Sequence, residues 1–251
     1  MWGIFRIAAA AATLVLVPAA SHGLQLKQPA SPAAAAAVST PLPVANPDPA
    51  AEFDVDLKHD HERASGLAPG QTAEDFEVWL NRSPANRAGL QSFRAHLAAA
   101  GVETVVPLWQ LVRTSSSWRE CGAQPFEAPP ADKWDHIVTT LKFVRDKVEP
   151  AVGEVEPLSA YRNETLNACS HGAPQSAHRQ FFALDLTPVS KAVDRGDMIR
   201  SICAAHARDG RAYDAGLGFY SGKRFHVDSS GYRKWGPNGK GATSPCVTGQ
   251  A

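Results

Sequence analysis

Four side chains able to bind a metal ion are clustered in the C-terminal half of this 251-residue sequence. His178 stands just before a short apolar run and Asp185 lies within it, while His226 and Asp228 share a second apolar run. Two histidines and one aspartate, with one coordination position left for water, form a ligand set that suits catalytic zinc. Zinc lowers the pKa of its bound water toward neutrality. These residue types therefore indicate metal-assisted hydrolysis.

Metal ligands must be presented by rigid elements, because zinc accepts donor atoms only at about 2.0–2.2 Å. Short apolar runs bounded by turn residues predict four strands, at 155–161, 181–186, 216–220 and 224–228, the last two forming a hairpin. Asp185 then lies on the second strand, and His226 and Asp228 point to one face of the fourth. Arg162, after the first strand, could bind a substrate carboxylate or stabilise an oxyanion. By spacing alone, hydrogen-bonded core histidines fit as well as metal ligands, so both interpretations stay open.

Helical periodicity precedes these strands and separates them. Apolar stripes predict helices after Thr72, through Leu90, Phe93 and Leu97 as far as Gly101, after Asp132 as far as Pro150, and from Thr187-Pro188 to about Gly210. The repeated prolines and glycines between these stripes mark the ends of the elements. Helices followed by a small antiparallel sheet predict an α+β fold.

The N-terminal part of the chain predicts export. Residues 1–23 have the pattern of a secretory signal peptide, with Arg6 before an apolar run and small residues suited to cleavage after it. The apolar run is shorter than the roughly 20 residues that span a bilayer; an uncleaved N-terminal anchor is the alternative. Residues 24–70 are rich in alanine and proline and predict a disordered linker. We expect no stable membrane insertion once the signal is cleaved.

Four cysteines, Cys121, Cys169, Cys203 and Cys246, are spread over the remaining chain without any C-x-x-C pair. In an oxidising compartment they predict up to two disulfides with three possible pairings, and free buried thiols are the alternative. Basic and acidic side chains number 25 each, so the formal net charge is zero. This balance gives no support for nucleic-acid binding or for electrostatic attachment to a membrane.

Three motifs in a fixed order carry a family resemblance. They are Ser159-Ala-Tyr-Arg162 with Asn167, Ser176-Ala-His178 with Asp185, and Phe225-His226-Val-Asp228 with Arg233 and Trp235. In type and order these motifs resemble the zinc D-alanyl-D-alanine carboxypeptidase and murein endopeptidase family. The similarity covers about residues 153–236. It implies a fold of the hedgehog/DD-peptidase type in residues 151–251, with residues 71–150 as a helical extension packed on it.

The resemblance also implies a function. It implies an exported, periplasmic zinc peptidase that hydrolyses a peptide bond next to a D-amino acid in peptidoglycan stem peptides or cross-links. The residues at the motif positions would be His178, Asp185 and His226 as ligands of one zinc ion, and Arg162, Ser176 and Trp235 as contacts to the muropeptide substrate. Asp228 would orient a histidine ligand or act as the general base. We expect a monomer.

Two positions depart from the family pattern. Phe181 replaces a glycine that usually follows the first ligand by three residues, and we expect it to narrow the cleft or shift the loop that presents His178. Lys223 replaces an acidic residue that some members carry three residues before the last histidine, which leaves the general base open. Two alternatives to a peptidase therefore stay open. One is a non-catalytic envelope protein of the same fold that binds muropeptide or a partner, and the other is a disulfide-containing secreted module without metal.

Overall fold

The computed structural model describes residues 66–249, which form seven α-helices and five β-strands. The helices are α1 (Ala73–Asn81), α2 (Pro84–Ala99), α3 (Trp134–Phe143), α4 (Glu149–Val152), α5 (Glu164–Cys169), α6 (Arg195–Asp209) and α7 (Pro245–Thr248). The strands are β1 (Val155–Ser159), β2 (Ala183–Pro188), β3 (Gly216–Phe219), β4 (Phe225–Asp228) and β5 (Arg233–Trp235). The predicted signal peptide at 1–23 and residues 24–65 of the predicted linker lie outside the described residues.

The strands form one sheet in the order β1-β2-β4-β3-β5. The β1–β2, β2–β4 and β3–β4 pairs are antiparallel, but β3 and β5 are parallel. The predicted α+β class is confirmed, whereas the purely antiparallel sheet was wrong. Both edges of β4 are already paired, with β2 and β3. The chain that reverses after β4 therefore takes the free edge of β3, which makes β5 parallel to β3.

The predicted N-terminal helices are present with their capping signals. The Thr72 side chain accepts a hydrogen bond from the Asp75 backbone, and the Asp75 carboxylate accepts one from the Thr72 backbone, completing a capping box before α1. The apolar face of α2 is buried. Gly101 follows this helix with φ of +69°, a conformation that glycine adopts without strain.

Two predicted helix boundaries were wrong, and proline is involved in both. Pro150 does not end the helix that follows Asp132. A wider π-helical turn at 144–148 leads into α4, and Pro150 lies in the first turn of α4, where a missing N–H costs no helical hydrogen bond. Thr187 and Pro188 belong to β2 and pair only with β1. The next helix, α6, begins later, with Asp194 as its N-cap.

Side chains from α1, α2, α3, α6 and the sheet share one hydrophobic core. Two disulfides join elements around it, Cys121–Cys169 and Cys203–Cys246, with Cα–Cα distances of 5.8 and 5.3 Å. The structure thus selects one of the three possible pairings. Disulfides are typical of proteins outside the cytoplasm. Within residues 66–249, no helix is long and apolar enough to cross a membrane.

Candidate metal centre

The structure brings the three predicted ligand residues together. One donor atom from each of His178, Asp185 and His226 lies within 4.8 Å of the other two. These residues expose only 2%, 0% and 4% of their surface. A buried group of two imidazoles and one carboxylate could hold a metal ion.

The sheet sets the spacing of this group. Asp185 of β2 stands directly opposite His226 of β4 in the antiparallel register. Side chains in such a position share a face and lie about 4.5–5.5 Å apart at Cβ. His178 lies in a short 3₁₀ turn, Ala177–Gln180, that leads into β2. The turn is held in place by a backbone hydrogen bond, which the Arg162 main-chain N–H donates to the His178 carbonyl at 3.2 Å.

His178 is oriented for metal binding through Nε2. Its Nδ1 donates a hydrogen bond to the Ala160 carbonyl at 2.6 Å, and its Nε2 faces Asp185 Oδ1 at 3.3 Å. Burial, assisted by the charge of Arg162, lowers the pKa of His178 to about 4, so the ring is neutral at neutral pH. Its Nε2 lone pair then points at a carboxylate oxygen, which is a repulsive contact. A cation between these two atoms would make both of them attractive ligands.

His226 is also oriented by a hydrogen-bond acceptor, in this case the Asp228 carboxylate. Its Nε2 lies 2.8 Å from Asp228 Oδ2, and its Nδ1 lies 3.0 Å from Asp185 Oδ1. Burial opposes a charge on this ring, but hydrogen bonds to Asp185 and Asp228 outweigh burial and raise the pKa of His226. The position thus favours positive charge beside Asp185. An acceptor behind each imidazole is typical of metal-binding histidines.

Asp228 is fully engaged by its neighbours. Arg233 donates to both carboxylate oxygens, at 2.7 and 2.9 Å, and the Ser230 backbone N–H donates at 2.8 Å. Burial alone would raise the pKa of Asp228, but the hydrogen bond from His226 and the charge of Arg233 keep it far below its usual range. This arrangement suits a carboxylate that orients His226.

Asp185 is the centre of the network. Its Oδ2 accepts hydrogen bonds from Arg162 Nη2 at 2.5 Å and from Arg224 Nη2 at 2.7 Å, and its Oδ1 accepts one from the Tyr220 hydroxyl at 2.9 Å. Burial would raise the pKa of Asp185, but the positive charges around it hold it well below the usual value: that of His178 where its ring is protonated, and those of Arg162 and Arg224 throughout. The carboxylate is therefore anionic, as a metal ligand must be.

The predicted substrate contacts lie at different distances from the group. Arg162 joins it directly through Asp185, and its Nε donates to Ser159 Oγ at 2.9 Å. The Trp235 ring centroid is 5.4 Å from that of His226. Trp235 covers Gly218, where an added Cβ would come within 2.0 Å of the indole. In the described part of the chain, no hydrogen bond joins the half-buried Ser176 side chain to the group.

Sequence reasoning missed Tyr220, Arg224 and Ser116. Alternation along the predicted strand at 224–228 could have found Arg224, because residues two positions apart share a strand face and His226 and Asp228 follow it at that spacing. No sequence signal pointed to Ser116, whose Oγ accepts a hydrogen bond from Arg224 Nη1 at 2.9 Å across 108 residues of chain.

The two departures from the family pattern lie outside the group. Phe181 is fully buried and packs against Phe93 of α2 and Tyr161, with centroid distances of 5.7 and 6.3 Å. It therefore belongs to the core and does not line an open cleft. Its backbone φ is +59°, the left-handed conformation that glycine favours. The Lys223 ammonium donates to the Lys191 carbonyl at 2.8 Å.

Comparison with protein-family models, with curated proteins and with solved structures found no match to this chain.

Proposed function

We propose that the protein is an exported zinc peptidase that hydrolyses a peptide bond next to a D-amino acid in peptidoglycan. The observation that carries this proposal is the buried His178–Asp185–His226 group with an acceptor behind each imidazole. The resemblance to zinc D-alanyl-D-alanine peptidases, which rests on the motifs around these residues, supports the substrate class and a fold of the hedgehog/DD-peptidase type. The two disulfides support a periplasmic location.

Zinc is the metal that the donor set favours. Two imidazole nitrogens and one carboxylate oxygen suit a four-coordinate catalytic zinc site with one position left for water. Held by Nε2 of His178, Nδ1 of His226 and Asp185, zinc would activate that water and polarise the scissile carbonyl.

The protein's own residues would orient the two imidazoles and balance the negative charge of the oxyanion. Asp228 accepts a hydrogen bond from His226 Nε2, so Nδ1 would be the ligand atom once the metal displaces its proton. The Ala160 carbonyl accepts a hydrogen bond from His178 Nδ1, which leaves Nε2 as the ligand atom of that ring. Arg162 places a guanidinium beside Asp185, where it can stabilise the oxyanion that develops on the carbonyl oxygen. Trp235 covers one side of His226 and could exclude water from the ring.

The proposed function is tested by mass spectrometry of purified peptidoglycan and soluble muropeptides after incubation with the full chain. We expect products that disappear when a chelator is added and return with zinc. The masses of the fragments identify the cleaved bond. A zinc-loaded, folded chain without products would contradict the proposal and favour a non-catalytic muropeptide-binding protein. A chain that binds no metal would favour the secreted module without metal.

Asp228→Asn tests the role of the carboxylate behind His226. We expect metal affinity and turnover to fall together by about 10- to 100-fold, the range for loss of a carboxylate behind a metal-bound histidine. Zinc competition against a chromophoric chelator measures the affinity, and steady-state hydrolysis measures the turnover. A fall in turnover with unchanged affinity would instead assign Asp228 as the general base. Unchanged values for both would exclude either role.

A further inference from the structure

Arg224 connects the candidate metal centre with the N-terminal helical part of the chain. Its Nη2 donates to Asp185 Oδ2 at 2.7 Å and its Nη1 donates to Ser116 Oγ at 2.9 Å. The guanidinium carbon lies 5.3 Å from the centroid of the Tyr220 ring. Three neighbours thus hold the planar group in one orientation, which reduces the entropy lost when it binds a ligand.

The arginine keeps donor capacity beyond these contacts. A guanidinium has five N–H groups, and hydrogen bonds within residues 66–249 use two of those of Arg224. Its Nε is buried without a hydrogen-bond partner in that part of the chain. A quarter of its side chain is nevertheless exposed, against 9% for Arg162. Arg224 is therefore the more accessible of the two cations on Asp185.

The charges around the group favour an anionic ligand. Three arginines, Arg162, Arg224 and Arg233, surround two carboxylates, those of Asp185 and Asp228. A divalent cation would increase this excess of positive charge. Arg233 directs both of its Nη atoms at Asp228. Arg224 is thus the residue that can accept a further anion without leaving a carboxylate unpaired.

The position of Arg224 limits which anion it can take. It contacts one oxygen of Asp185, while the other oxygen faces both histidines. The Arg224 guanidinium is therefore separated from the two imidazoles by the width of the Asp185 carboxylate. One extended residue spans roughly 3.3–3.6 Å, so the substrate anion nearest in reach is the α-carboxylate of the residue that follows the scissile bond.

We propose that Arg224, held by Ser116, binds the free α-carboxylate of the residue that follows the scissile bond and so sets the substrate preference of the protein. Substrates in which that carboxyl group is amidated or extended by a further residue would lose this ion pair. The inference rests on the proposed function, because it names the substrate of the same site.

The test compares peptides ending in D-Ala-D-Ala as the free acid and as the amide, with the full zinc-loaded chain. We expect the native protein to prefer the acid by roughly 10- to 100-fold in kcat/KM, the range for one charged hydrogen-bonded contact. Arg224→Ala should abolish this preference, and Arg224→Lys should restore part of it, because it keeps the charge without the planar fork. Ser116→Ala, which leaves the Arg224–Asp185 contact in place, should reduce the preference about threefold to tenfold.

Lys223→Ala is the matched control, since it removes the neighbouring positive charge, which contacts Lys191, and should leave the acid preference unchanged. A binding measurement separates this inference from the proposed function. The probes are non-hydrolysable D-Ala-D-Ala analogues with a methyleneamino link, one ending in a carboxylate and one in an amide, titrated by calorimetry into the zinc-loaded chain.

Tighter binding of the acid analogue that Arg224→Ala removes would support the inference even if no peptide is cleaved. Cleavage of acid and amide at equal rates, with equal binding of the two analogues, would overturn the inference and leave the proposed peptidase activity standing. Loss of the preference in Lys223→Ala would also overturn it, because the effect would then be one of general charge.

Discussion

Replacement of Asp185 by alanine is expected to abolish metal binding and to destabilise the metal-free protein as well. Four neighbours donate hydrogen bonds to this carboxylate, namely His226, Tyr220, Arg162 and Arg224. Without it, two guanidinium groups that share one buried partner lose their counter-charge. Removal of one partner from a buried ion pair costs about 3–5 kcal/mol, and we expect a loss of about that size in the free energy of unfolding. Urea unfolding after chelator treatment measures it.

Two variants control this experiment. Asp197 also pairs with an arginine, Arg200, but both side chains are 69% exposed. Asp197→Ala should therefore change the free energy of unfolding by less than about 1 kcal/mol. Asp185→Asn keeps the shape and one oxygen for the arginines, so it should bind no metal and yet unfold at a higher urea concentration than Asp185→Ala. Stoichiometric zinc retained by both Asp185 variants would overturn the ligand assignment.

At Phe181 we expect the glycine variant to be more stable than the alanine variant, the reverse of the usual order. Removal of its buried ring should cost about 3–5 kcal/mol in either variant, as for other buried phenylalanines. The residue has φ of +59°, a conformation that costs a residue with a Cβ about 1–2 kcal/mol and glycine almost nothing. We therefore expect Phe181→Gly to be more stable than Phe181→Ala by about 1 kcal/mol. Thermal and urea unfolding of both variants test this order.

Phe93 supplies the matched control, because it contacts Phe181 and is equally buried but lies inside α2. In a helix interior glycine is about 1 kcal/mol less favourable than alanine. Phe93→Gly should thus be less stable than Phe93→Ala, the reverse of the order at Phe181. The same order at both sites would mean that the turn after His178 relaxes when the ring is removed, and would contradict a strained backbone at Phe181.

The sequence was most informative where local chemistry decides the structure. The Thr72 capping box and the buried face of α2 depend on residues within a few positions of one another. The hairpin with His226 follows from two short apolar runs and a turn. The group of His178, Asp185 and His226 was predicted from the positions of these residues at the ends or on the faces of such elements, together with the family resemblance of their motifs.

The features that sequence reasoning missed depend on distant parts of the chain. The parallel pairing of β5 follows from the occupied edges of β4, which only the complete sheet determines. Ser116 meets Arg224 because the chain before α3 packs beside the sheet. The disulfide pairing could not be read from four scattered cysteines. Pro150 was misjudged because a wider turn accommodates it, and such a turn has no simple sequence signature.

Asp185 and His226 stand directly opposite each other on β2 and β4. A metal ion can therefore bind both residues only when these two strands are paired in the native register. A slip of one residue between β2 and β4 would turn His226 to the other face of the sheet. A slip of two residues would restore the face but move the imidazole by about 6.8 Å along the strand, beyond the reach of a shared ion. A metal ion would therefore stabilise only chains whose strands are aligned in the native register. By the same reasoning, an insertion at Gly222, between Tyr220 and Arg224, would leave the register of β2 and β4 unchanged, whereas an insertion within either ligand-bearing strand removes the site.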